Sequence, residues 1–310
     1  VAKQAIGYVL EREEDFPEES VVWDFIGGEP FLEIDLIDKI CDYIKVEQFQ
    51  RDHHWFGAYR FSFSTNGINY YEEKVQQFIL KNKEHLSIGI TIDGTEMKHD
   101  LNRVYKASGR GSYKDVVRNI PLWLSQFPDA STKVTISSAD IPYIKESVLH
   151  LYALGIHEVN INCVFEDVWK AGDDRLFEEQ LLMLADAIID NGYYRDYSCS
   201  FFGEHLGKPL DCKLQNQNWC GAGMMLAVDA MGNFYPCTRF AQYSLRNKKA
   251  WIIGNIHDGI DKNKLRPFLT LDRCTQSTQE CIGKWMRMVS GRKLRCCRYF
   301  YHLPAFYSYL

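Results

Sequence analysis

The stretch Val21-Val22-Trp23-Asp24-Phe25-Ile26-Gly27-Gly28-Glu29-Pro30 decides the fold. Val21–Ile26 is a short apolar run that reads as a buried strand. Gly27-Gly28 turns the chain, and Ile37, Ile40, Cys41 and Ile44 stripe the helix that follows. Outward from it the same unit repeats. Arg60–Ser64 is a strand before a helix carrying Val75, Phe78 and Ile79. Ile88–Ile92 precedes a loop and a helix with Val116, Val117 and Ile120. Val134–Ser137 precedes a helix ending at Leu154-Gly155, where glycine supplies the left-handed cap. Val159–Val164 precedes the apolar helix Phe177–Ile189. Residues 1–13 form an opening helix with Ala2, Ala5, Ile6, Val9 and Leu10 on one face. Strands alternating with helices predict parallel β-structure with right-handed crossovers. A helix with no strand before it, in a chain starting at Val1, implies a lost first strand and six units in all. Six units fit an incomplete barrel at least as well as an open doubly wound sheet, and periodicity does not choose.

The 310 residues carry a net charge of −5 and are 46% hydrophobic, a globular composition with no general attraction for polyanions, so a nucleic-acid partner has no support. No run approaches the ~18 apolar residues of a membrane span, and no signal-peptide pattern opens the chain. The expectation is a cytoplasmic protein.

Past about residue 195 helical periodicity fades, and Gly, Cys, Asn and aromatic residues take over. Eight of the ten cysteines (Cys199, Cys212, Cys220, Cys237, Cys274, Cys281, Cys296, Cys297) fall in the last 112 residues, which suits metal or Fe–S binding better than a disulfide framework. Cys41 lies on an apolar helical stripe and Cys163 on a strand, so both read as core. His53-His54 reads as a solvated loop pair.

In parallel α/β folds the chemistry sits where strands end. Those positions here hold Gly27-Gly28-Glu29-Pro30, then Ser64-Thr65-Asn66-Gly67, then Asp93-Gly94 with His99-Asp100-Leu101-Asn102-Arg103. Asn160, Asn162, Glu166 and Asp167 close the series, the last two as a peptide contact, a proton-transfer pair or a solvated rim. Paired glycines let a ligand approach the backbone, Glu29 offers negative charge to an ammonium group, and Arg103 can hold a carboxylate in a fork. Together they suit a zwitterionic amino acid attached to a nucleoside.

These three motifs resemble radical S-adenosylmethionine (radical SAM) enzymes, and within them the peptide- and protein-modifying branch that carries a C-terminal SPASM domain. The resemblance covers roughly residues 1–260. It implies an α/β fold: a partial (β/α)6 barrel lacking its first strand, followed by a small irregular Cys-rich SPASM-like domain. The implied domains are 1–195 (barrel), 196–282 (SPASM-like) and 283–310 (an aberrant or diverged tail). It implies S-adenosyl-L-methionine as cofactor, with Gly27, Gly28, Glu29, Pro30, Ser64, Asn66, Asp93 and Arg103 around it.

Cys220, eleven residues, Gly232, four residues and Cys237 resemble the opening of a SPASM domain, and Gly254-Asn255-Ile256 adds to the likeness. By that resemblance Cys212, Cys220 and Cys237 ligate an auxiliary [4Fe–4S] cluster; Cys274 and Cys281 are candidates for further ligands outside that set, and a zinc site is the inorganic rival. Two departures stand out. No C-x3-C-x2-C run, the family's source of ligands for the catalytic cluster, occurs in the sequence, and truncation accounts for that together with the missing strand. Lys284 stands where the second cysteine after Cys281 belongs.

The resemblance implies a radical SAM peptide maturase that abstracts hydrogen from a residue of a Cys-containing ribosomal peptide and forms a thioether crosslink, with flavodoxin or ferredoxin as reductant. The alternatives are an anaerobic sulfatase maturase making formylglycine and an inactive fragment that binds S-adenosylmethionine or peptide. In the sulfatase branch an aspartate follows the Tyr-Pro-Cys cysteine; here Thr238 does.

Overall fold

In the computed structural model, which describes residues 1–164, 166, 168–203, 221–244 and 248–270, the deciding apolar run is strand β1 (Val21–Phe25). It pairs in parallel with β2 (Tyr59–Thr65), and β2 with β3 (Leu86–Ile90), so that Phe25 lies opposite Phe63 and Ser64 opposite Gly89. The crossovers are α2 (Ile34–Gln50) and α3 (Glu73–Asn82), preceded at the N-terminus by α1 (Ala2–Leu10). After β3 come α4 (Glu96–Asp100), α5 (Tyr113–Val117) and α6 (Ile120–Gln126). A second parallel sheet contains β4 (Ser131–Ile136), β5 (Glu158–Cys163) and β6 (Ser198–Cys199), with α7 (Ile144–Ala153) and α8 (Asp173–Asp190) between. β6 has two residues and no periodicity to betray it. Of α8 only Leu184 is buried, while Leu182 and Ile189 are exposed, so its apolar pattern is not covered as the sequence suggests.

Each strand alternates. Phe61 and Phe63, Ile88 and Ile90, Val134 and Ile136, Val159 and Ile161 are buried. Phe63 stacks on Phe25 and meets Phe31 and Phe78, and buried Trp123 donates from Nε1 to the Ile88 carbonyl (2.8 Å). Each such ring stabilises the fold by ~1.5–3 kcal/mol. The opposite face carries Ser62, Ser64, Ser87, Gly89, Ser131, Lys133, Thr135, Asn160 and Asn162 and is polar. β3 and β4 share no ladder. Instead the buried Thr132 hydroxyl donates to Ile90 O (2.7 Å) and accepts from Ile92 N (3.2 Å), one side chain doing the work of a missing rung.

By contact the chain divides into two units, one of Ser20–Cys41 with Gly57–Leu206, the other of Val1–Glu19, Asp42–Phe56 and Gly207–Leu310. The first holds both parallel sheets. The described part of the second contains an antiparallel sheet of β7 (Ala227–Val228), β8 (Asn233–Tyr235), β9 (Gly254–Asn255) and β10 (Gly259–Ile260), followed by α9 (Lys262–Leu269). Its core is Ala5 and Tyr8 of α1 with Phe234, Phe240, Ile253 and Phe268, and Ile260 N donates to Tyr8 Oη (3.0 Å). The opening helix thus groups with the C-terminal strands, a long-range pairing that no local pattern announces. Among the described residues no helix is long and apolar enough to cross a membrane.

Candidate functional site

Parallel strands send their following loops to one edge, and that edge is tied together strand by strand. Gly27 (φ 88°) and Gly28 (φ 45°) both occupy the left-handed region, which L side chains rarely adopt, and nothing lies within 4 Å of where a Cβ would stand. Conformation, not crowding, requires glycine there, and the open space leaves room for a ligand.

Glu29 departs from its expected role. Its Oε1 accepts from Thr65 Oγ1 (2.6 Å) and Phe31 N (3.1 Å), and its Oε2 from Asn66 N (2.7 Å). Three of the ~four acceptor sites of the carboxylate are therefore engaged in pinning the Gly27-Gly28 loop to the end of β2. The glutamate shapes the cradle, with one lone pair left for a ligand cation. Pro30 follows as the first residue of a short 3-10 turn that Glu29 caps. Asn66 spends Oδ1 on Ile68 N (2.9 Å), which leaves its amide NH2 without a partner among the described residues. Ser64 Oγ takes a bond from Lys133 Nζ (2.8 Å).

Arg103 also departs from expectation: the carboxylate in its fork is that of Asp93. Nε donates to Asp93 Oδ2, and Nη2 reaches Oδ1 at 3.5 Å. Asp93 is 2% exposed and also accepts from Thr135 N (2.9 Å), linking the end of β3 to β4. Burial alone would raise its pKa, but Arg103, Lys98 and these hydrogen bonds outweigh it and hold the carboxyl below its usual range. Beneath it Lys98, 1% exposed, donates to Thr135 O (2.5 Å) and lies 3.9 Å from Asp93 and 3.5 Å from Asp140. Burial lowers the Lys98 pKa, and the two aspartates oppose that shift. His99 is wholly buried, accepts from Asp93 N at Nδ1 (3.2 Å) and bonds Ser112 Oγ through Nε2 (3.1 Å); burial pushes its pKa down to about 4. Asp140 closes the group, held by Asn102 Nδ2 (3.2 Å) and by Ser137 N (2.8 Å).

Sequence reasoning missed Lys98 and Asp140. The Ser137-x-x-Asp140 capping box is legible as a helix start, but nothing in the sequence says that its carboxylate will face a buried lysine. Of the fifth strand's residues, Asn160 Nδ2 bonds Glu158 Oε1 (2.8 Å), and Asp167 lies outside the described residues.

Cys41 and Cys163 are buried as expected, and burial pushes the thiols of Cys163 and Cys199 up to about 11, which suits core residues rather than ligands. Cys237 is half-buried just after β8, with Thr238 Oγ1 3.9 Å from its sulfur. Cys212, Cys220, Cys274 and Cys281 lie outside the described residues.

Of the His53-His54 pair His54 is exposed as expected, but His53 is 2% exposed, stacks on His54 and approaches Glu13 at 3.7 Å. Trp55 N donates to its Nδ1 (3.1 Å), which leaves the ring proton on Nε2. An N–H, not a lone pair, therefore faces Glu13, and the cluster is poorly set to ligate metal.

No protein-family model matches the chain. Its fold is similar to that of anSMEcpe in a structure with bound AdoMet and Cp18Cys peptide: TM-score 0.69, 22% identity, 94% of this chain and 79% of that one. It is also similar to Streptococcus suis SuiB bound to precursor peptide SuiA: TM-score 0.55, 13% identity, 91% of this chain and 62% of that one. An uncharacterized protein of Methanocaldococcus jannaschii, MJ0907, is 28% identical over 164 residues, about half of either chain at 52% and 51%.

Proposed function

We propose that this chain binds S-adenosylmethionine at the strand-end rim and acts among radical SAM maturases of peptides or proteins. The observation that carries the reading is the convergence of the three loop motifs on one edge, with two left-handed glycines and open space beside them. The resemblance in fold to proteins crystallised with AdoMet and with peptides supports it. In this reading the Gly27-Gly28 backbone and the free lone pair of Glu29 receive the ammonium group. Pro30 fixes the exit of that loop, Asn66 donates its amide, and Asp93 holds Arg103 in place. Ser64 and Arg103 complete the contacts. In the family, reductive cleavage of the bound nucleoside draws its electron from an iron–sulfur cluster on a C-x3-C-x2-C run; the 310 residues contain no such run and do not fit that cluster. What these residues can do is bind and orient.

An auxiliary cluster on Cys212, Cys220 and Cys237, with Cys274 and Cys281, belongs to the same proposal. Anaerobic reconstitution should give iron and sulfide near ~4 per cluster; stoichiometric zinc without sulfide would remove it. Given the catalytic cluster from outside these residues, thioether formation on a Cys-containing peptide is preferred to formylglycine formation as the reaction served, because Thr238 beside Cys237 is no proton acceptor at neutral pH. The test of the whole reading is calorimetric titration with S-adenosylmethionine. Saturable binding is expected, weakened ~tenfold or more in Gly28→Val. No saturation by the intact chain would end the proposal.

A further inference from the structure

The polar face of the two sheets carries an open groove of about 530 Å³. Hydroxyls of Ser62, Ser64, Ser87 and Ser131 line it. Arg60, Lys83 and Lys133 bring three positive charges against Glu84 and Asp129, an excess of one. Lys133 sits on β4 and reaches Ser64 on β2 across β3. Gly89 is the β3 residue opposite Ser64. The ammonium spends one of its three donors on Ser64 Oγ, and among the described residues no carboxylate lies within 4.0 Å of it. Lys133 is exposed, so its two spare donors face solvent beside the row of hydroxyls and are open to an incoming anion. Arg103, by contrast, is neutralised by Asp93.

We propose that Lys133, with the Ser64 hydroxyl, is the anchor for a ligand carboxylate on this face, the task that the sequence motifs assign to Arg103. Two carboxylates share this chemistry: that of the methionyl end of the cofactor and that of an acidic substrate group. The first source rests on the S-adenosylmethionine reading above, while the pocket itself does not. One ammonium hydrogen bond to a carboxylate oxygen and one donated by the Ser64 hydroxyl, which still accepts from Lys133, would complete the site with no proton transferred.

Two matched pairs of probes test it in the intact chain, in Lys133→Met and in Lys133→Arg. The first pair is S-adenosylmethionine against its decarboxylated analogue; the second, titrated without any nucleoside, is N-acetylglutamate against N-acetylglutamine. The intact chain and the arginine variant should prefer the carboxylate of at least one pair by ~tenfold, and Lys133→Met should lose that preference while keeping its thermal midpoint. Loss in the first pair assigns the cofactor as source, and loss in the second assigns a substrate acid. If no preference exists, or if every preference survives in Lys133→Met, the proposal is overturned. Should S-adenosylmethionine bind none of the three proteins, the rim reading fails while the glutamate pair still decides the pocket.

Discussion

Single side chains carry the electrostatics of the rim, and two of them divide the acid response between separate pH windows. His99 is neutral and buried, with its pKa lowered to about 4 by burial. Between that value and the ordinary ~6.5 the unfolded chain binds a proton that the folded chain does not, so stability rises with pH across this range and falls on acidification. The loss from His99 alone should be about 3 kcal/mol by pH 4, with His53 and His150, also lowered by burial, adding to it. Denaturant midpoints measured from pH 7 to 4 should therefore drop steeply, and less steeply in His99→Asn; parallel slopes for the two proteins would show that His99 is not the group responsible. Asp93 acts lower. Its folded pKa is depressed, so its contribution is complete above the unfolded ~3.9 and fades only as pH falls through the folded value. At neutral pH its removal is more damaging. Asp93→Asn leaves Lys98 buried with a weaker partner set and Arg103 without its anion, and should cost ~3–5 kcal/mol in a urea titration. A cost below ~1 kcal/mol would mean that the pair behaves like a surface bridge.

At the scale of elements, the strands were legible because each is a short apolar alternation ended by a glycine or polar turn, and β1 through β5 lie within a few residues of where that pattern puts them. What could not be read was pairing across the gap between β3 and β4. Some forty residues of helix and loop separate Ile90 from Thr132, and the seam is closed by side chains instead of a ladder, the Thr132 hydroxyl beside β3 and the Asp93 carboxylate just past its end. Thr132 looks in sequence like any β-branched strand residue. Glu29 and Arg103 show the same limit at the site: their types and positions were legible, but whether each faces a ligand or another residue of the chain depends on neighbours far away in sequence. The seam makes a sharp prediction. Thr132→Val keeps shape and burial but strips Ile90 O and Ile92 N of their partner, at ~1–3 kcal/mol for each buried group left unsatisfied. Hydrogen exchange should quicken at Ile92 first, ahead of the ladder amides of β2 and β4. Unchanged exchange at Ile92 would show that something other than Thr132 closes the seam.

For the whole molecule the informative fact is that chain order and contact order disagree. Val1–Glu19 stands next to β1 in sequence yet shares its unit with the C-terminal strands: among the described residues α1 supplies Ala5 and Tyr8 to a core with Ala222, Phe234, Phe240, Ile253 and Phe268. A sheet whose strands have two or three residues cannot bury enough surface alone, so it must borrow an apolar helix from elsewhere. Tyr8 also accepts from Ile260 N, so its hydroxyl holds β10 as its ring fills the core. Tyr8→Phe should cost ~1–2 kcal/mol through that one lost acceptor, and Tyr8→Ala ~3–5 kcal/mol through the cavity as well. The loss should be local. Amides of Phe234, Ile253 and Ile260 should lose protection from hydrogen exchange, while those of β2, β3 and β5 in the other unit keep theirs. If Tyr8→Ala instead lowered protection evenly across both units, the chain would be a single cooperative body. The grouping of the first helix with the last strands would then describe packing without describing stability.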